Sequence, residues 1–126
     1  MSLQTFRQQL GHRSEELAAR YLRARGYTIL KANVRFPVGE IDLVARQGEV
    51  LCFVEVRSAS STEWGGPLAT VTYPKQQRLI RAAQWYLKRL RALPPQIRFD
   101  VIAITWRTDG TSSVELIPGA FDAPSW

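Results

Sequence analysis

Cysteine and histidine are nearly missing from this chain: 126 residues contain one cysteine, Cys52, and one histidine. A single cysteine excludes an intramolecular disulfide, and one of each leaves too few ligands for a zinc site of the cysteine and histidine type. Cys52 lies inside an apolar stretch and reads as a small buried hydrophobe rather than a nucleophile. No apolar run reaches the ~20 residues of a membrane span. The opening MSLQTFRQQLGHR lacks the apolar core of a secretory signal, so a reducing, cytoplasmic setting is expected. Acidic residues are also sparse, 11 against 17 lysines and arginines, for a net charge of +6. That excess suits a polyanionic partner, most often nucleic acid, although charge for solubility alone would look the same in bulk. Repeats and low-complexity tracts are absent.

What is present is an ordinary globular composition, 45% apolar and 22% charged, long enough for one core. We expect a single domain over 1–126. Residues 6–25 read as a helix, with Thr5 and Gln8 in capping-box positions and Gly26 as its stop. Its apolar stripe is Phe6, Leu10, Leu17, Ala18, Tyr21 and Leu22. Glu15 falls on the edge of that stripe, where a carboxylate needs a partner or a task. A strand follows over 27–36, bent near Asn33. Residues 75–92 read as a second helix, stopped by Leu93-Pro94-Pro95. Residues 97–106 form a long strand, and the Asp109-Gly110 turn leads to a fifth strand over 113–117. The order helix, three strands, helix, one or two strands is an α/β fold with a mixed sheet flanked by helices. The strand after the second helix should lie parallel to the strand before it.

The most informative stretch is Gly39 to Arg57, GEIDLVARQGEVLCFVEVR, which reads as a hairpin turning at Gln47-Gly48. With Arg46 opposite Glu49, strand alternation gathers Ile41, Leu43, Ala45, Val50, Cys52, Val54 and Val56 on one apolar face. The other face carries Val44, Leu51 and Phe53 near the turn, and Glu40, Asp42, Glu55 and Arg57 far from it. That register sets Glu40 opposite Glu55, with Asp42 as diagonal neighbour. Like charges facing one another across a sheet repel. A divalent cation such as Mg²⁺ would relieve them, and so would an ion-pair cluster around Arg57. The next segment, 58–74, lacks periodicity and reads as a long loop leaving the charged end, with Trp64 within it. On the second helix, Arg78, Arg81, Lys88 and Arg89 share the face away from the apolar one, with Trp85 among them. Cations interleaved with an aromatic are what a nucleic-acid surface presents.

Asp42 followed by Glu55-Val56-Arg57, after a helix carrying Glu15, resembles the PD-(D/E)XK nuclease superfamily. Further stretches are similar to the YraN-like family of small bacterial proteins related to Holliday-junction resolvases. They are Ser14–Leu22, Arg25–Leu30, Gly39–Leu43, Phe53–Arg57 and Arg98–Val101. The resemblance implies a restriction-endonuclease-like αβββαβ core and metal-dependent hydrolysis of DNA, with branched DNA as a candidate substrate. It implies that Asp42 and Glu55, with the Val56 carbonyl, hold Mg²⁺ or Mn²⁺, and that Glu15 assists. Arg57 stands where the superfamily usually has lysine. Arginine keeps its proton, so it is no general base and would instead steady charge or hold a water. Lys75, opening the second helix, would contact a phosphate or cap its own loop. Resolvases act as symmetric homodimers because a junction has two equivalent strands to cut. The alternative is a nucleic-acid-binding protein that keeps a nuclease fold without turnover.

Overall fold

The computed structural model describes residues 2–61 and 65–123, and Trp64 lies outside them. The element order is α1 (Leu3–Ala24), β1 (Thr28–Phe36), β2 (Gly39–Gln47), β3 (Val50–Ser60), a 3₁₀ turn (Pro67–Thr70), α2 (Tyr73–Leu87), β4 (Gln96–Trp106) and β5 (Ser112–Phe121). The five strands form one sheet in the order of the chain. β3 and β4 are parallel and the other neighbours antiparallel, as the intervening helix requires. This is the expected mixed α/β architecture, with β3 at its centre and β1 and β5 at its edges.

Each face of the sheet takes one helix. On one side Ala18, Ala19 and Leu22 of α1 pack on Leu43, Ala45, Cys52, Val54, Ile102 and Ile104. On the other, Leu79, Ile80, Ala82, Ala83 and Leu87 of α2 pack on Ile41, Val44, Leu51, Phe53 and Phe99. Phe53 is fully buried, with Tyr86 at its edge and Phe99 stacked 5.7 Å away. Burying such a ring stabilises the fold by roughly 2–3 kcal/mol. The thiol of Cys52 is pushed up to about 12, first by burial and then by the charge of Asp100, which leaves it inert packing.

Several boundaries differ from the sequence reading. α1 starts three residues early because Ser2, not Thr5, is its cap and accepts from the Thr5 amide at 3.1 Å. Its first turns are not part of the core: Phe6 is 54% exposed, and burial begins at Ser14. α2 ends at Leu87, before the prolines, where the amides of Arg89 and Leu90 bond to the carbonyls three residues back and tighten the chain. β3 runs into the segment read as a loop, and β5 runs on to Phe121.

The hairpin register is also different. Arg46 faces Leu51 and Gln47 faces Val50, so the turn is centred on Gly48-Glu49. Gly48 has φ 59, the conformation that the first central position of a type II′ turn demands. A shift of two preserves which side chains share a face, so most of the expected apolar face survives. Ile41 is the exception: it packs toward α2, while Leu43 packs toward α1. β1 explains this. Ala32 faces Leu43 and Val34 faces Ile41, and between them Asn33 adopts φ 53. Both strands change face at that level, where β2 carries Asp42.

Candidate functional site

The face change at Asp42 is where β2 separates from β3. Their ladder ends at Leu43 opposite Val54, so Asp42 and Glu55 are the next residues outward on the two strands. The Val56 amide donates to Asp42 Oδ2 at 2.8 Å, so the side chain stands in for a strand partner. Glu40 was expected opposite Glu55. In the actual register it faces Arg35 on β1 and pairs with that guanidinium at 3.5 Å, on the surface. The acidic pair is therefore Asp42 with Glu55, with Glu40 outside it.

Both carboxyls sit in a poorly solvated place. Burial, then the charge of Glu55, pushes Asp42 up to about 8, against the pull of the Val56 amide; Glu15 and Glu40 add smaller repulsions. Glu55 is also raised by burial, opposed by Arg57, by a hydrogen bond with Asp42 and by the charge of Lys75. Burial thus favours the neutral form of both carboxyls, and the charge of Glu55 adds to this at Asp42, where a bound cation would oppose it.

Arg57 is fixed by two partners. Its Nη1 lies 3.4 Å from Glu55 Oε1, and its Nε donates to Thr70 Oγ1 at 2.8 Å. The Thr70 hydroxyl in turn donates to the Pro67 carbonyl at 2.6 Å. The arginine fork thus ties the acidic pair to the 3₁₀ turn, a double reach that a lysine's single nitrogen does not match. Lys75 joins Glu55 and Arg57 around a crevice between β3 and α2 that has no free volume for a water molecule. The α1 side of the sheet carries a separate groove. There Glu15 lines a groove of about 490 Å³ floored by Ile29, Ala32 and Leu43, with Arg20 and Arg23 at its rim. Among the described residues, no three carboxylate, imidazole or thiol groups converge as a metal cluster, so Glu15 acts on Asp42 through its charge.

The basic residues of α2 divide into two groups. Arg78 and Arg81 are exposed and, with Arg35 and the 36–40 turn, surround an open groove of about 650 Å³. The turn reaches them because position 39 is glycine: a Cβ there would lie 2.9 Å from the Arg78 carbonyl oxygen. Arg89 lies 4.7 Å over the Phe36 ring and 5.6 Å over Trp85, while Phe36 and Trp85 pack at 5.8 Å. Trp85 is therefore half-buried in a surface cluster rather than presented as a free platform. Lys88 is exposed beside it.

Two features were given no role by the sequence reading, although Arg98–Val101 was among the stretches that carried the resemblance. Thr70 sits in a stretch without periodicity and is recognisable only from the Arg57 contact. The second is a buried polar network behind β4. Asp100 is fully buried and takes two hydrogen bonds from Arg98, at 2.7 and 2.9 Å, and one from the Gly119 amide at 2.9 Å. Arg98 also donates to Tyr27 and Gln47. This network joins the end of α1, the end of β2 and both C-terminal strands, and fills the irregularity between Phe99 and Val101 in the β4–β5 pairing.

A family model, described as an uncharacterised protein family, matches residues 14–104, which hold the carboxyl pair, its arginine tether and the Arg98–Asp100 bridge. The chain belongs to the UPF0102 family. UPF0102 proteins similar to it run along nearly its whole length. One from Syntrophotalea carbinolica is 48% identical over 93% of this chain and 94% of its own. One from Symbiobacterium thermophilum is 46% identical over 90% and 97%. One from Legionella pneumophila is 42% identical over 92% and 97%. The motifs that pointed to the YraN-like group are thus those of UPF0102. Among the described residues, no helix is long and apolar enough to cross a membrane.

Proposed function

We propose that this UPF0102 protein is a divalent-metal-dependent endonuclease acting on DNA. The observation that carries the reading is the Asp42–Glu55 pair: two neighbouring, partly buried carboxyls, both pushed up chiefly by burial, with the charge of Glu55 raising Asp42 further. An all-oxygen donor set suits Mg²⁺ or Mn²⁺, which is held by one or two carboxylates plus water and substrate phosphate. Asp42 and Glu55 would hold the ion through the oxygens that do not already serve Val56 and Arg57. The bound ion would supply a hydroxide-like water and neutralise charge on the phosphate. Arg57 would steady Glu55, and Lys75 would add positive charge on the α2 side. Glu15, whose charge is felt at Asp42, would orient a water. The exposed Arg78 and Arg81 would hold the phosphate backbone beyond the site. A branched substrate would call for two copies related by symmetry, with β5 as the available sheet edge.

The test is cleavage of linear, single-stranded and junction DNA with Mg²⁺ or Mn²⁺, by wild type and by Asp42→Asn and Glu55→Gln. Metal-dependent cleavage that both substitutions abolish supports the reading. An uncut panel with either metal removes it. A second reading, nucleic-acid binding without turnover, is favoured by the crevice that Arg57 and Lys75 leave without space for water. It expects salt-sensitive binding in which neither acidic substitution matters.

A further inference from the structure

Among the described residues, the surface aromatics near the candidate site are, with one exception, already engaged. Trp85 packs on Phe36 under Arg89, Trp106 donates to Ser14 at 3.0 Å, and Tyr21 lies 3.4 Å beneath the Arg25 guanidinium. Tyr73 differs. It opens α2, is 70% exposed, and stands two residues from Lys75, which faces Glu55 across the closed crevice. The segment that presents it is held at both ends. Arg57 anchors Thr70, and Gln76 returns a side-chain hydrogen bond to the Val71 carbonyl at 3.2 Å and a backbone bond to Thr72 at 3.0 Å. An aromatic ring displayed on a restrained segment loses little conformational freedom when a flat partner stacks on it.

We infer that Tyr73 is a stacking platform for an unpaired nucleobase of the strand whose phosphate is brought to Asp42 and Glu55. The inference rests on the proposed function and narrows its substrate class to DNA with an unpaired stretch at the cleavage point. A paired base offers its face to its neighbours in the stack, and only an unpaired one is free to stack on a side chain. Charge complementarity points to a polyanionic partner: the same helix presents the exposed Arg78 and Arg81, and the protein carries a net charge of +6. In this arrangement Arg57 is a positioning residue. Its fork sets the distance between the carboxyl pair and the segment that carries the ring.

The experiment measures fluorescence anisotropy of a short labelled single strand, and of the same strand annealed to its complement, with the full chain at low salt. Wild type, Tyr73→Ala, Tyr73→Gln and Tyr73→Phe are compared, each checked for an unchanged melting temperature. Losing one stacked base should weaken single-strand binding by about five- to fifty-fold in the alanine and glutamine variants. Tyr73→Phe should keep wild-type affinity, and duplex affinity should be the same in all four. Single-strand affinity unchanged in Tyr73→Ala, or an equal loss on strand and duplex, overturns the inference. If Tyr73 proves silent while cleavage still needs Asp42 and Glu55, the inference falls and the nuclease reading stands. If wild type binds neither form, both fall.

Discussion

Asp42 ties the proposed chemistry to a stability measurement that needs no substrate. Its pKa rises from 3.8 to about 8 on folding, chiefly through burial and then through Glu55. The folded protein therefore holds a proton that the unfolded chain has already released above about pH 4. That contribution is fully present below the unfolded pKa and is lost as the pH climbs through the folded one. One proton of difference gives a slope of about 1.4 kcal/mol per pH unit, so stability should fall by about 2–4 kcal/mol between pH 5 and pH 8. Asp42→Asn keeps an acceptor for the Val56 amide and removes the charge. It should flatten this slope and leave the variant more stable than wild type at pH 8. The assay is urea unfolding followed by tryptophan fluorescence at each pH, with and without Mn²⁺. An ion at about ten times its dissociation constant should return about 1.4 kcal/mol at pH 8 to wild type and nothing to Asp42→Asn. A wild-type profile that is flat or rises from pH 5 to pH 8, or an unchanged slope in Asp42→Asn, would refute the reasoning about the pair.

Three other outcomes follow from the geometry. Arg57→Lys can serve Glu55 or Thr70 but not both, and should cost about 1–2 kcal/mol in thermal unfolding, with faster proteolysis near Pro67 as the anchor slackens. Asp100→Asn leaves the Arg98 guanidinium facing a neutral amide in a buried site and should destabilise the fold by about 3–5 kcal/mol; Cys52→Ala, a smaller cavity, provides the comparison. Replacing Arg78 and Arg81 together by alanine should lower the log–log salt slope of DNA binding by about 2, with little change in stability because both are exposed. An unchanged slope would mean that the groove by the 36–40 turn touches no phosphates.

Much of the architecture was legible in the chain before any coordinates. Strand alternation from Leu43 to Val56 and the helical stripes of α1 and α2 fall directly out of 2.0 and 3.6 residue periods, because each side chain's direction follows from its own backbone. The parallel β3–β4 pairing followed from the helix between them. The candidate carboxyls, Asp42 and Glu55, stood out as acidic residues on adjoining strands. Turn chemistry was harder to read: Gln47-Gly48 and Gly48-Glu49 both put glycine where it can be used. Only the structure showed that the second is taken and that Glu40 belongs to Arg35.

What tertiary structure alone decided is which charges meet. The face change at Asp42 depends on Asn33 of another strand, and the tether from Arg57 depends on Thr70, thirteen residues away in a segment with no period. The local sequence sets side-chain direction and burial tendency over a few residues. Partners in a salt bridge or an acidic pair are chosen by distances across the sheet, and those exist only once β1, β2, β3 and the start of α2 have packed together.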